Sequence, residues 1–287
     1  MANTKEKKAH RKWIGRTAYT ILALVVLFVI QAYLLPVKYV FGKKVLSFLP
    51  LPVAFVNADA VLLGNYYNRI DIATKISGVQ DFQNGTLLDQ LVNNKIVELS
   101  AKAKNLSVTS TDIEQSYTLL KQATGKQLLG ADYAVSESDF KKQIILPDLL
   151  KIKLQIWLAS NQKLNAAQYK TLDQAKKQLA AGDSFDVVAS QYSDDALSAK
   201  IGGDLGYVSN TDLVPEIFNQ LESIQDHNPH VIISRFGIHI VEVLDKDSKG
   251  PANSARYHVR QVFIKTTDYP KWFEKEKILY SVLKLKH

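Results

Sequence analysis

The 287-residue sequence contains no cysteine. That excludes a disulfide framework, a thiol nucleophile and any zinc site built on thiolates. The six histidines (His10, His227, His230, His239, His258 and His287) show none of the spacings that gather ligands around a metal, so neither a metal nor another cofactor is expected. Surplus charge is also missing from most of the chain. The formal net charge is +8, yet residues 1–44 hold nine of the 36 Lys and Arg and only one, Glu6, of the 28 acids. The rest of the chain carries 27 bases and 27 acids. A balanced body without a basic reading motif argues against a nucleic-acid partner.

Charge of either sign is absent from TAYTILALVVLFVIQAYLLPV, residues 17–37. At 1.5 Å per residue, 21 residues are enough to cross about 30 Å of hydrocarbon. No face of the segment is polar, which argues against a buried core helix. Trp13 and Tyr19 near one end, and Tyr33 and Tyr39 near the other, suit the two membrane interfaces. A cleaved signal peptide is the rival reading. Its apolar region would be about 7–15 residues, followed at once by a small-x-small site. LLPVKYVFGKK offers none, and Ala58-Asp59-Ala60 lies too far downstream. The expectation is therefore an uncleaved, single-pass transmembrane helix over 17–37. Six bases precede it and three follow, which makes residues 1–16 a basic cytoplasmic tail and the rest of the chain extracytoplasmic. The local positive excess faces anionic lipid.

Residues 38–52 read as a basic, proline-punctuated linker, and PVAFVNADAVLL as a short β-like run. Helical periodicity follows. LLDQLVNNKIVELSAKAKNL (87–106) places Leu87, Leu88, Leu91, Ile96, Leu99 and Ala103 at three- and four-residue steps. TSTDIEQSY (109–117) opens another helix with Thr109 or Ser110 as the cap. SESDFKKQIILPDLLKIKLQIWLAS (136–160) is a third, in which Pro147 should produce a kink or a break. The opening PVAFVN, with LVNNKIVELSAKAKNLSVTSTDIEQSY after it, resembles the N-terminal chaperone domain of SurA- and PrsA-type foldases. That resemblance implies a helical domain over 53–162 that holds unfolded chains.

The second half is more specific. TLDQAKKQLAAGDSFDVVASQYSDDALSAKIGGDLGYV (171–208) is followed by DLVPEIF (212–218) and RFGIHIVEVLD (235–245). The glycines of GGDLG permit a tight turn, and Asp204 between them can bond neighbouring amides. FGIHIVEVL alternates imperfectly, as a half-buried strand does. In order and spacing these segments resemble the parvulin (PpiC-type) peptidyl-prolyl isomerases. The resemblance implies an α+β fold over 163–268, an antiparallel sheet with flanking helices, rotamase activity without cofactor, and unfolded or proline-containing polypeptides as partners. It implies His239 as the family's second histidine, Asp195 as its acidic position, and Leu205 and Leu213 as pocket wall. Ile217 stands where a Phe is usual, with Phe218 adjacent. Phe236, which opens FGIHI, is a further substrate contact on the same grounds. The family's first histidine is not matched: Gln261 occupies its place, and His258, three residues earlier, is a further substrate-binding candidate.

A parvulin begins with a strand ahead of its first helix. Here SNQKLNAAQYK, before Thr171, has no strand character, whereas SARYHVRQVFIKT (254–266) does. The family's first and last strands are antiparallel neighbours, so residues 245–255 can join them as a hairpin. The expected arrangement is a circular permutation in which 256–265 supplies the first strand. The rival is KIKLQIWL (151–158) as a strand in the usual place. Residues 269–287 read as an amphipathic C-terminal tail, packed on the protein or lying on the membrane. Two functional readings result: a membrane-anchored extracytoplasmic foldase with prolyl isomerase activity, or a catalytically weak or inactive parvulin-fold chaperone that binds unfolded polypeptides. Gln261 favours the second, GGDLG and FGIHI the first.

Overall fold

The structure, a computed structural model, describes residues 2–36, 39–77, 84–124, 136–247 and 255–286. Most of the loop expected to join the two strands, 248–254, lies outside the described residues. In chain order the elements are α1 (Ala2–Leu34), α2 (Lys43–Phe48), β1 (Pro52–Val56), β2 (Asp59–Leu62), α3 (Leu63–Ser77), α4 (Asn84–Ala103), α5 (Ser110–Thr124), α6 (Glu137–Phe140) and α7 (Leu146–Ser160). They continue with α8 (Ala166–Ala180), α9 (Phe185–Tyr192), α10 (Ala196–Ala199), β3 (Asp204–Val208), α11 (Pro215–Leu221), β4 (His230–Ile233), β5 (Gly237–Asp247), β6 (Arg256–Lys265), α12 (Tyr269–Lys277) and β7 (Val282–Lys284). Two compact units result, each assembled from separated stretches. One comprises Met1–Leu99, Thr109–Pro147 and Lys277–His287, the other Ser100–Val108 and Asp148–Glu276.

The first unit holds the long apolar helix and a three-stranded sheet of order β2-β1-β7. Asn57, in the left-handed conformation at φ 54°, turns β1 into β2, a position Asn tolerates. The Asn57 side chain accepts from the Ser281 amide at 2.9 Å, and its own amide donates to the Ser281 carbonyl at 2.7 Å. This seats β7 against β1 in antiparallel register, Val56 opposite Val282 and Ala54 opposite Lys284. The expected amphipathic tail over 269–287 is thus corrected. Its helix stops at Lys277, and the following residues cover an edge of β1 that would otherwise stand open. A three-residue strand is too short to show a period. The expected linker is corrected too, since α2 lies within it and β1 begins at its last residue.

Pro147 does not end its helix. A π-helical turn over Lys141–Ile145 runs directly into α7, whose second residue is the proline, so the expected break is instead a local change of helical pitch ahead of it. Residues 151–158 lie inside α7, with Leu150, Leu154 and Leu158 buried at four-residue steps, so they are not the rival strand.

The second unit contains a four-stranded antiparallel sheet of order β3-β6-β5-β4. The strand at 256–265 sits between β3 and β5, with Gln261 opposite Val241 and Phe263 opposite His239. This is the neighbourhood expected of a parvulin first strand placed last. Alternation sorts the side chains. Ile238, Ile240, Val262 and Ile264 pack against Leu172, Ala175, Phe185 and Val188 of α8 and α9. Val241, Val243, Tyr257 and Val259 turn the other way, towards Ile217 and Leu221 of α11. His239, Gln261 and Phe263 share the parity of this second set.

Candidate active site

The site is built where β6 outruns β3. Pairing with β3 involves Tyr257–Arg260, and beyond it the Ser193–Asp194 segment takes the place of a strand. The Phe263 amide donates to Ser193 Oγ at 3.1 Å, the Asp194 amide to the Phe263 carbonyl at 2.7 Å, and the Lys265 amide to Asp194 Oδ2 at 2.7 Å. GGDLG closes the other end. The Gln261 amide donates to the Gly203 carbonyl at 2.8 Å. Gly203 stands at φ +80°, and a Cβ there would lie 2.3 Å from the Gln261 carbonyl oxygen. Only glycine allows this approach, which fixes the backbone that carries Gln261.

Asp195 caps the N-terminus of α10. Its Oδ1 accepts from the Leu197 amide at 3.3 Å, and its Oδ2 from the Ser198 hydroxyl at 2.6 Å. The Ser198 hydroxyl, the two backbone amides and the Gln261 side chain hold its carboxyl below the usual range, against an opposing push from burial. An ionised carboxylate only accepts, so Gln261 turns its amide N–H towards it. That leaves Gln261 Oε1 to accept from His239 Nδ1–H at 3.0 Å. His239 Nε2 then accepts from the Ser234 hydroxyl at 2.8 Å, and Ser234 Oγ accepts from the Phe236 amide at 3.1 Å. Hydrogen bonds therefore run in one sense from Phe236 to Asp195. His239 is only 5% exposed, and burial lowers its pKa from 6.5, only partly opposed by the Gln261 hydrogen bond and the Glu216 carboxylate. It is neutral, with both ring nitrogens engaged. Its ring stacks on Phe263, centroids 4.8 Å apart.

These groups floor a cleft of about 510 Å³ lined by Asp194, Asp195, Phe236, His239, Gln261, Phe263 and Lys265. The three residues expected to be catalytic, His239, Asp195 and Gln261, are together, and Phe236 forms a wall. Leu205, Leu213, Ile217 and Phe218 do not line this cleft; they lie in the apolar cluster between α11 and the same face of the sheet. His258 is a correction. It is an odd number of residues from Gln261, so it projects from the opposite face of β6. There it meets Asp204 Oδ1 at 2.8 Å and the Tyr207 ring. The sequence reading missed Phe263, Ser234 and Ser198. Phe263 carried a signal, being two residues from Gln261 and therefore on the same face. The serines had none, because their roles depend on how the 193–198 and 234–237 turns close.

Residues 136–247 match the family model of the PPIC-type PPIASE domain. The chain thus contains a parvulin-type domain and has a PrsA-like architecture. Foldase protein PrsA of Caldanaerobacter subterraneus is 27% identical over 179 residues, covering 56% of this chain and 57% of that relative. PrsA of Geobacillus kaustophilus is 25% identical over 242 residues, 76% of this chain and 83% of its own. Chaperone SurA of Nitrosococcus oceani is 32% identical over 96 residues, 31% of this chain and 22% of its own. The chain thus spans little more than half of the first relative and under a quarter of the SurA. The parvulin-type match ends at Asp247, before β6.

Proposed function

We propose that the parvulin-type unit catalyses cis–trans isomerisation of X-Pro bonds in unfolded polypeptides outside a membrane to which residues 17–37 anchor the chain. The observation that carries this reading is the closed hydrogen-bond chain Asp195–Gln261–His239–Ser234 on the floor of a cleft walled by Phe236 and Phe263. The barrier of roughly 18–20 kcal/mol is the loss of amide resonance, and no covalent bond breaks. A catalyst has only to favour the twisted amide over the planar one. The twisted amide has lost the charge separation of resonance, so an apolar wall favours it. The aromatic walls take the proline ring, and the polar chain holds His239 neutral and fixed beneath it. Gln261 serves because both the carboxylate and the imidazole can be satisfied by one donor and one acceptor; no proton has to move.

The anchor rests on Thr17–Leu34, a stretch of mean hydropathy 2.1 of which 6% is buried, unlike a core helix. In this reading the charge asymmetry around it places residues 1–16 in the cytoplasm and both units outside, where the first unit holds unfolded exported chains. A second reading, a cradle that binds polypeptide without turning it over, is favoured by Gln261 in place of the family's first histidine. The test is a protease-free assay of cis-to-trans relaxation in a short X-Pro peptide, with His239→Ala and Asp195→Ala alongside. Acceleration that both variants lose supports the enzyme. A wild type that suppresses aggregation of an unfolded client but leaves relaxation at the buffer rate establishes the cradle instead.

A further inference from the structure

After α1 the chain folds back along the helix it has just left. Gln31 lies in the apolar run, and its side chain is spent on one residue: Nε2 donates to the Phe41 carbonyl at 2.9 Å, and Oε1 accepts from the Phe41 amide at 3.0 Å. The Phe41 ring meets Phe28 edge-on, centroids 6.5 Å apart. Gly42 makes the turn at φ +69°, where a Cβ would sit 2.7 Å from the Phe28 ring. Phe41 and Gly42 therefore lie beside Phe28 and Gln31. These are three to six residues before Leu34, so at 1.5 Å per residue the turn sits about 5–9 Å inside the helix end.

From there α2 starts. Leu46 is fully buried, while Phe41, Val45 and Phe48 recur at four- and three-residue steps and are 77%, 58% and 88% exposed. Lys43 and Lys44 stand between them. The outer end of α1 is tied to the first unit as well. Tyr33 donates to the Pro52 carbonyl at 2.9 Å, and Lys286 Nζ donates to the carbonyls of Ala32 and Leu35 at 2.7 Å each.

We propose that residues 41–48 are an interfacial anchor that inserts Phe41, Val45 and Phe48 into the outer leaflet, with Lys43 and Lys44 at the level of anionic phosphates. The proposal rests on the reading of residues 17–37 as a membrane span. Lipid is the occupant because the Gln31–Phe41 pairing fixes the depth: whatever surrounds the last turns of the span surrounds Phe41. The same pairing satisfies the Phe41 backbone, as hydrocarbon requires of any chain that enters it. An apolar stripe flanked by lysines is the pattern that lies at the headgroup–acyl boundary. The consequence is a first unit held against the bilayer surface instead of swinging on a tether.

The natural absence of cysteine makes the test direct. Single variants Phe41→Cys, Val45→Cys and Phe48→Cys of the full chain are labelled with a small fluorophore and reconstituted in phosphatidylcholine–phosphatidylglycerol vesicles containing nitroxide lipids. Leu24→Cys, inside the span, and Asp59→Cys, exposed at the start of β2, set the two limits. Quenching of positions 41, 45 and 48 by the lipids, as at 24 and unlike 59, is the expected result. Quenching at 24 alone, with 41, 45 and 48 matching 59, overturns the interfacial anchor and leaves the span intact. No quenching at 24 overturns the span itself, and the proposal with it.

Discussion

Replacing Gln261 with histidine restores the residue type that the parvulin resemblance expects, and the geometry says what should follow. A neutral imidazole can do what Gln261 does, donating from one nitrogen to Asp195 and accepting at the other from His239 Nδ1–H. The Gln261→His protein should therefore retain isomerase activity near pH 8. It should also acquire a proton that the wild type cannot bind. Protonation turns both nitrogens of the new residue into donors, so His239 Nδ1–H, buried at 5% exposure, loses its acceptor. Leaving such a donor unpaired costs about 1–3 kcal/mol. With each 1.36 kcal/mol worth a factor of ten in rate, the loss is roughly 5- to 150-fold in kcat/KM as pH falls through the pKa of the new histidine. The Asp195 carboxylate raises that pKa and burial lowers it, so the transition should lie around the ordinary histidine value of about 6.5.

The wild type should show no transition there. Gln261 does not titrate, Asp195 is held low, and His239 has a pKa below 6.5. The assay is relaxation of an X-Pro peptide from pH 5.5 to 8.5 for both proteins. A wild-type profile flat above pH 6.5, against a Gln261→His profile that slopes around that value, is expected. A wild-type loss of activity at or above pH 6.5, or superimposable profiles, refutes the neutral chain as the working state.

Three further outcomes follow from the same geometry. Gly203→Ala should destabilise the second unit by about 2–5 kcal/mol, from strain at positive φ together with the clash on the Gln261 carbonyl; Gly206→Ala has open space and φ +66°, so only the first component, about 1–2 kcal/mol, should appear in denaturant melts. The His239 pKa is lower folded than unfolded, so the unfolded state binds the extra proton between the two values. Stability of this unit is full above about pH 6.5, falls as pH drops towards the lower folded value, and His239→Phe should flatten that slope in melts followed against pH. A chain ending at Lys277 loses β7, the Lys284–Asp89 pair and the Lys286 contacts; limited proteolysis should then find cleavage within the first unit, with isomerase activity unchanged.

What the sequence disclosed depended on the range of the contacts involved. GGDLG and FGIHI were legible because each encodes a local backbone requirement, a positive-φ turn and an alternating strand. The strand at 256–265 was legible from alternation together with the missing strand before Thr171. Assigning Leu205, Leu213, Ile217 and Phe218 to the pocket was a transfer by resemblance. The structure packs them beneath α11, on the sheet face that also carries His239 and Gln261 but outside the cleft lining, an arrangement set by packing that no motif records. His258 failed for a reason available beforehand, since a side chain three positions along a strand faces away. β7 was illegible because three residues carry no period, and their strand state comes from β1, over 200 residues earlier.

The placement of those late strands constrains how the protein reaches its folded state. β6 is a central strand, and Val262 and Ile264 complete the core against α8 and α9. Until residue 265 is available, β3 and β5 have no common neighbour and the cleft has neither Gln261 nor Phe263. The first unit waits longer still, because β1 keeps an open edge until Val282–Lys284 arrives. Pairings of such sequence separation close slowly, since loop entropy is paid before any contact rewards it. A chain exported as proposed emerges N-terminus first, so the two units remain incomplete until residues 256–265 and 282–284 respectively are out. Under the proposed anchor, tethering at residues 17–37 keeps that incomplete chain at the membrane surface and lowers its chance of pairing open edges with other copies.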